Sequence, residues 1–511
     1  MVELQGVSFR YQGGGQDAGV SDISLAIGKG ECVLLCGESG CGKTTLTRLI
    51  NGLIPHYYEG SLSGTIRVKG KDIAAAPLYE TAGLIGSVFQ NPRSQFFNVD
   101  TSSEIAFGCE NLGLPEDEIL RRVEKTAADM HIGNLLGRSI FALSGGEKQK
   151  IACASVSALN PDVLVLDEPS SNLDRDAVYD LAGQIAQWKS RGKTIVIAEH
   201  RLHYLAGLTD RMVYMREGRI VHEYTWAGLK ALPREERDAL GLRSLSLRLI
   251  PAGGGQPDCS APGGGQGWIT ARELREWIAL SNFYFSYKRG PKVLNIPSLM
   301  LPRGGIIAVI GRNGAGKSTF ARCLCGLEKR CPGSMEAGGK TYKAGARLKH
   351  CYMVMQDVNH QLFTESVLDE VLISMKTPAA AEAEKILESL DLLPLKALHP
   401  MSLSGGQKQR AAIASALASC RELIVFDEPS SGLDRRHMGY VAENMRSLQR
   451  LDKTLLVITH DPELILACCT YTLCMEDGKI IDTYPLNDGG KRRMLDFFKG
   501  PVQNQPGLEP D

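Results

Sequence analysis

Short apolar runs rich in Val, Ile and Leu punctuate the chain: ECVLLCG at 31–37, DVLVLDEP at 162–169 and KTIVIAEH at 193–200. Three similar runs follow in the same order: GIIAVIG at 305–311, ELIVFDEP at 422–429 and KTLLVITH at 453–460. Each is too short for a helix, is bounded by charge or glycine, and reads as a buried strand. Between them lie longer segments with helical spacing, such as DAVYDLAGQIAQWKSRG at 176–192. Strands alternating with helices predict a mostly parallel sheet with crossover helices, an α/β fold, in each half of the chain.

The halves are a repeat. Ser144 to Ser404, Asp167 to Asp427 and His200 to His460 are each 260 apart, whereas Lys43 to Lys317 is 274. The first copy is therefore 14 residues longer between its lysine and Ser144, an insertion expected in surface loops. PAGGGQPDCSAPGGGQG at 251–267 is almost free of apolar side chains and reads as a flexible connector. The expected organisation is a first domain at 1–245, a linker at 246–275, a second domain at 276–500 and a disordered tail at 501–511.

Composition changes this picture little. Of 511 residues, 43% are hydrophobic and 23% charged, and 58 basic side chains balance 58 acidic ones, so no basic field points to nucleic acid. No run approaches the ~20 apolar residues of a spanning helix. The 14 cysteines show no paired spacing, and the opening MVELQGVSFRYQGG has neither the basic start nor the apolar core of a secretory signal, which fits a reducing cytosol. Cys323, Cys325 and Cys331 lack zinc-site spacing and read as small buried residues.

The chemistry is concentrated in motifs that occur twice. GESGCGKTT (Gly37, Glu38, Ser39, Gly40, Cys41, Gly42, Lys43, Thr44, Thr45) and GRNGAGKST (Gly311, Arg312, Asn313, Gly314, Ala315, Gly316, Lys317, Ser318, Thr319) each stand between a strand and a helix. Such a loop turns backbone N–H groups onto phosphate oxygens, the lysine neutralises terminal phosphates, and Thr44 or Ser318 places a hydroxyl on Mg²⁺. Asp167 and Asp427, at strand ends, would hold the same Mg²⁺, and Glu168 and Glu428 would polarise an attacking water. Cys41, near a helix N-terminus, is expected to be a reactive thiolate that makes the activity oxidant-sensitive.

ALSGGEKQK at 142–150 and SLSGGQKQR at 402–410 go beyond a phosphate loop. With them the chain resembles the ATP-binding cassette ATPases over nearly all of both halves. The resemblance implies two tandem P-loop NTPase domains, each a mostly parallel sheet with helices plus a helical signature subdomain. It also implies that the cassettes pair within the chain, so that Ser404, Gly405 and Gly406 complete the nucleotide site of the first glycine loop, and Ser144, Gly145 and Gly146 that of the second. Tyr11 and Tyr287 match the aromatics that stack on adenine. Gln90 and Gln356 match the loop glutamine that contacts Mg²⁺ and water, and His200 and His460 the switch histidine. Asp174 and Asp434, in SSNLD and SSGLD, match a loop that couples the two sites. One departure is AEHRL at 198–202, where many cassettes end in THD, so Glu199 is expected to alter the electrostatics of the first switch.

The stretches QNPRSQFFNVDTSSEIAFGCENLGLP and QDVNHQLFTESVLDEVL are similar to the ATPases of energy-coupling-factor importers. That resemblance implies ATP- and Mg²⁺-dependent uptake of a vitamin or transition-metal ion, at the cytoplasmic face of the cell membrane, through a transmembrane scaffold subunit and a substrate-binding membrane subunit. Gln95, Phe96 and Phe97, with Gln361, Leu362 and Phe363, would line grooves for short scaffold helices. Two alternatives stay open: a soluble twin-cassette ATPase acting on ribosomes or nucleic acid, and a nonhydrolysing ATP sensor.

Overall fold

The strand-forming runs fold as their pattern dictates. The computed structural model describes residues 1–12, 19–90, 92–171, 173–247, 277–287, 290, 292–356, 358–403 and 405–499. The expected tail, and the expected linker apart from 246–247, lie outside them. The chain divides into two compact units, one for each repeat.

In the first unit the strands are β1 (Val2–Tyr11), β2 (Gly19–Ile27), β3 (Cys32–Cys36), β4 (Gly60–Val68), β5 (Lys71–Asp72), β6 (Ile85–Val88), β7 (Val163–Asp167), β8 (Thr194–Ala198), β9 (Arg211–Arg216) and β10 (Arg219–Tyr224). The order β10-β9-β3-β8-β7-β6 makes one sheet, parallel from β9 to β6, and β2-β1-β4-β5 makes an antiparallel second sheet. The parallel strands β3 and β8 are buried along their whole length, as their unbroken apolar runs require. One core fills the space between the sheets, with Val33, Leu35 and Val196 facing Val2, Leu4 and Val7; another lies on the opposite face around Leu34, Ile195 and Trp188.

Helix α1 (Lys43–Ile50) follows β3 directly. A helical layer of α2 (Thr101–Asn111), α3 (Glu116–Asp129) and α4 (Gly145–Leu159) has its own core of Ile105, Cys109, Ala127, Ile151 and Ala154. Helix α5 (Arg175–Ser190) follows β7.

The second unit repeats this plan with β11 (Trp277–Ser286), β12 (Lys292–Pro302), β13 (Ile306–Ile310), β14 (Ser334–Ala337), β15 (Lys340–Tyr342), β16 (Cys351–Val354), β17 (Leu423–Asp427), β18 (Thr454–Ile458), β19 (Tyr471–Glu476) and β20 (Lys479–Pro485). Its sheets are β20-β19-β13-β18-β17-β16 and β12-β11-β14-β15. The helices used below are α6 (Lys317–Leu324), α7 (Val367–Leu372), α8 (Ala380–Ser389), α9 (Gly405–Ala418) and α10 (Pro462–Cys468). Cys323, Cys325 and Cys331 are buried in this unit's core.

The 14 extra residues do not simply fill loops. From Lys43 to Gln90 is 47 positions and from Lys317 to Gln356 is 39, so eight fall before the glutamine and six after it. The nine-residue β4 replaces the four-residue β14, and α2 and α3, of 11 and 14 residues, replace α7 and α8, of 6 and 10. Lengthened elements bury part of the addition, which a loop would leave in solvent. Among the described residues no helix is long and apolar enough to cross a membrane.

Candidate functional site

The sites are built where parallel strands end. The chain leaves β3 at Gly37 with φ 142°, and a Cβ there would lie 2.2 Å from Met215 O; Gly311 leaves β13 with φ 155° and the same clearance to Met475 O. Only glycine fits that approach. Each loop then wraps back on its helix. Lys43 Nζ donates to Gly37 O (3.0 Å) and Glu38 O (2.9 Å), and Lys317 Nζ to Gly311 O (2.8 Å) and Arg312 O (2.9 Å). Both lysines are almost fully buried, so each loop encloses a desolvated cation suited to phosphate.

Thr44 Oγ1 donates to Asp167 Oδ1 at 3.1 Å. Burial, reinforced by the neighbouring Glu168, pushes the Asp167 carboxyl up to about 6 against the pull of Thr44. Burial likewise raises Asp427, opposed by Ser318 and Lys317. A hydroxyl beside a carboxylate that is short of positive charge is a hard-oxygen donor set that fits Mg²⁺.

Glu168 and Glu428 hold left-handed backbone, φ 45° and 51°, where the chain turns out of β7 and β17. Their amides donate to Ala198 O (2.8 Å) and Ile458 O (2.9 Å), which pins them beside the next strand. Glu168 Oε2 accepts from Gln90 Nε2 at 2.7 Å, and its Oε1 lies 3.5 Å from His200 Nε2. Glu428 Oε1 lies 3.4 Å from His460 Nε2. Burial works to raise the Glu168 carboxyl, yet His200, Lys43 and Gln90 outweigh it and hold it below the usual range; burial, then Lys43, lowers the His200 imidazole. Each glutamate thus stands within 3.5 Å of an imidazole nitrogen.

Lys43, Thr44, Asp167, Glu168, Gln90 and His200 are therefore brought together, as are Lys317, Ser318, Asp427, Glu428 and His460 with Gln356 exposed at the corresponding point. Tyr11 and Tyr287 hydrogen-bond through their hydroxyls to Thr45 Oγ1 and Thr319 Oγ1, each at 3.2 Å. Ser144 caps α4: its Oγ accepts from Glu147 N while Glu147 Oε2 accepts from Ser144 N at 2.8 Å, a capping box within the signature motif. Gly145 and Gly146 form the first turn of α4 and Gly405 and Gly406 that of α9, whereas Ser404 lies outside the described residues. Asp174 caps α5 through Ala177 N at 3.0 Å.

Cys41 is corrected. Its side chain is buried and burial raises its thiol despite Lys43, because the loop folds the sulfur inward toward Gly37 rather than to the helix mouth. Three features escape motif reading. Arg48 NH1 donates to Tyr11 OH at 3.1 Å and its guanidinium lies 4.1 Å over the Tyr58 ring. Ser170 Oγ donates to Glu199 Oε1 at 2.6 Å. Buried Glu104 accepts through Oε2 from Phe97 N (3.0 Å) and Asn98 N (2.8 Å), and buried Glu370 from Phe363 N and Thr364 N, both at 3.1 Å. The signal for the last was present: each glutamate stands seven residues after its phenylalanine.

A family profile described as ABC transporter matches residues 20–171 and 294–431. A Treponema denticola protein named as an ABC transporter ATP-binding protein is 45% identical over 94% of this chain and 96% of its own length. One from Methanosarcina acetivorans is 32% identical over 94% and 85%. The archaeal ribosome recycling factor aABCE1, solved with the ribosomal stalk protein aP1, superposes with a TM-score of 0.61 over 98% of this chain and 94% of its own at 20% identity, a likeness of fold.

Proposed function

Since the chain belongs to the ABC transporter family of ATP-binding proteins, whose members hydrolyse ATP with Mg²⁺ and generally pair with transmembrane subunits, we propose that it powers an importer of energy-coupling-factor type. Its cargo would be a vitamin or transition-metal ion, and its place the cytoplasmic face of the membrane. The observation that carries this reading is an exposed phenylalanine at the same point of both repeats. Phe97 is 75% exposed and Phe363 71%, while their neighbours Phe96 and Leu362 turn inward. Glu104 and Glu370 fix the backbone of these loops through the Phe97 and Phe363 amides, and the Phe97 ring stacks on Phe107 at 5.1 Å, which presents an apolar surface suited to short apolar helices of a scaffold subunit.

In the proposed reaction Lys43 and Lys317 bind the terminal phosphates of ATP, and Ser144, Ser404 and the glycines beside them add donors to the γ-phosphate. Thr44, Asp167 and Gln90, and Ser318, Asp427 and Gln356, would hold Mg²⁺, which supplies charge stabilisation to the transferring phosphoryl group. Glu168 and Glu428 orient the water, and His200 and His460, which lie 3.5 and 3.4 Å from them, sense the γ-phosphate. Tyr11 and Tyr287 stack on adenine.

The test is affinity capture of the tagged full chain from detergent-solubilised native membranes, with Phe97→Ala/Phe363→Ala alongside. Recovery of a scaffold protein and a small substrate-binding membrane protein, lost in the double variant, is expected. Ribosomal proteins in their place would put the soluble twin-cassette reading first.

A further inference from the structure

The two repeats part company immediately beside the switch histidine. Glu199 and Thr459 occupy the same place, and their amides make the same bridge across the sheet, to Leu35 O (3.2 Å) and Val309 O (3.4 Å). Their side chains do different things. Glu199 is 3% exposed, and its Oε1 accepts from Ser170 Oγ at 2.6 Å and from Arg201 N at 3.1 Å. Arg201 in turn donates through NH1 to Leu173 O at 3.4 Å, so the switch loop grips the segment after Glu168 at both Ser170 and Leu173. Thr459 Oγ1 instead accepts from Asp461 N at 3.1 Å.

We propose that Glu199 is a positioning residue of the first nucleotide site, tying Ser170 to the loop of His200 so that the Glu168–His200 pair keeps its geometry, a tie the Thr459 side chain does not supply. The inference rests on the reading that Glu168 and His200 serve hydrolysis. Three observations support it. The fold accepts threonine here without moving the backbone bridge, so packing does not demand a carboxylate. Glu199 Oε2 is buried and meets no donor among the described residues, a cost a purely structural residue would not retain. The tie also spans Glu168: Ser170 is two residues beyond it, and His200 is next to Glu199.

The titratable groups around Glu199 are Glu168 at the end of β7, His200 and Arg201 on its own loop, and Tyr204 on the following turn. Burial first, and Glu168 with it, push the Glu199 carboxyl up to about 7 against the opposing pull of Ser170. Protonation removes the charge that strengthens the Ser170 bond, so the tie weakens as the medium becomes acidic.

The experiment measures ATP turnover of the full chain carrying Glu428→Gln, which reports on the first site, with Glu199→Thr, Glu199→Gln or Glu168→Gln added. Glu199→Thr is expected to lower kcat about ten-fold while KM for ATP stays within about two-fold, since misplacement of a catalytic group acts on the chemical step. Glu199→Gln, whose amide oxygen still accepts from Ser170 but without charge, like the protonated carboxyl, is expected to run at the parent's pH 6 rate at both pH values and so to lose the fall in rate from pH 8 to pH 6. A Glu199→Thr chain with the kcat of its parent, or a Glu199→Gln chain with the same pH profile, would overturn the proposal while Glu168→Gln still abolishes turnover. Turnover that survives Glu168→Gln would overturn the site reading and this inference together. Should Glu428→Gln silence both sites, the same comparison is read in the otherwise unaltered chain.

Discussion

Glu199 also sets a stability signature. Its proton affinity is raised on folding from 4.5 to about 7, chiefly by burial, so between those values the folded state holds more protons than the unfolded one. Stability contributed by this group is therefore present at low pH and falls as pH rises through that window. At about 1.4 kcal/mol per pKa unit the loss has an upper bound on the order of 3 kcal/mol. Without nucleotide, Glu199→Gln should melt above the parent chain at pH 8 and with it at pH 4.5, and equal melting at both would remove the basis for this sign. At the reaction centre, Glu168→Gln is expected to cut first-site hydrolysis by about 10²-fold or more with ATP binding kept, measured by single-turnover kinetics beside equilibrium nucleotide binding. Cys41, buried with a raised thiol, should leave the response to peroxide unchanged when replaced by alanine, whereas protection in Cys41→Ala would restore the reactive-thiolate expectation.

Single elements show how small sequence differences reshape the repeats. Asp461 accepts from Glu463 N (3.1 Å) and Leu464 N (3.4 Å) and starts α10; the first repeat has Arg201 there, and only a single 3₁₀ turn, His203–Leu205, follows. A side-chain acceptor at the cap separates a two-turn helix from a turn, and its loss in Asp461→Ala should cost ~1 kcal/mol in the second unit, read by denaturant melting. The α2 helix carries Glu104, which accepts the two amides that open the Phe97 loop. Glu104→Ala leaves both without their acceptor, at ~1–3 kcal/mol of local stability. Hydrogen exchange at Phe97 and Asn98 should rise while the amides of β3 and β8 stay protected; unchanged exchange would show that other contacts hold the loop.

Across the whole molecule the repeats share sheet order, glycine-loop clearance and the Glu–His pair, yet differ at residue 199 and its counterpart 459. Glu168→Gln and Glu428→Gln are therefore expected to lower total turnover unequally, with the first site's share growing from pH 6 to pH 8. Equal losses at every pH would mean that the two sites work alike despite that difference. Balanced charge, 58 basic against 58 acidic side chains, leaves no broad electrostatic attraction to lipid, so membrane recovery should track the exposed phenylalanines rather than ionic strength.

The hydrophobic pattern determined the parallel strands of both repeats, because a strand buried on both faces has to be apolar throughout, and the doubled motifs determined the chemistry because phosphate binding needs glycine, lysine and hydroxyl at set spacing. LVLDEP, GKTT and LSGG were legible for that reason. The antiparallel sheet was not, since β1 and β4 pair through residues about 60 positions apart and half of each strand faces solvent. Nor did sequence show that the added residues would lengthen β4, α2 and α3. Only tertiary structure turned Cys41 from a reactive thiol into a buried one, joined Glu199 to Ser170 and set Glu104 under Phe97. Those properties depend on what surrounds a side chain once distant strands are adjacent, and desolvation and hydrogen bonding act on that neighbourhood rather than on residue type.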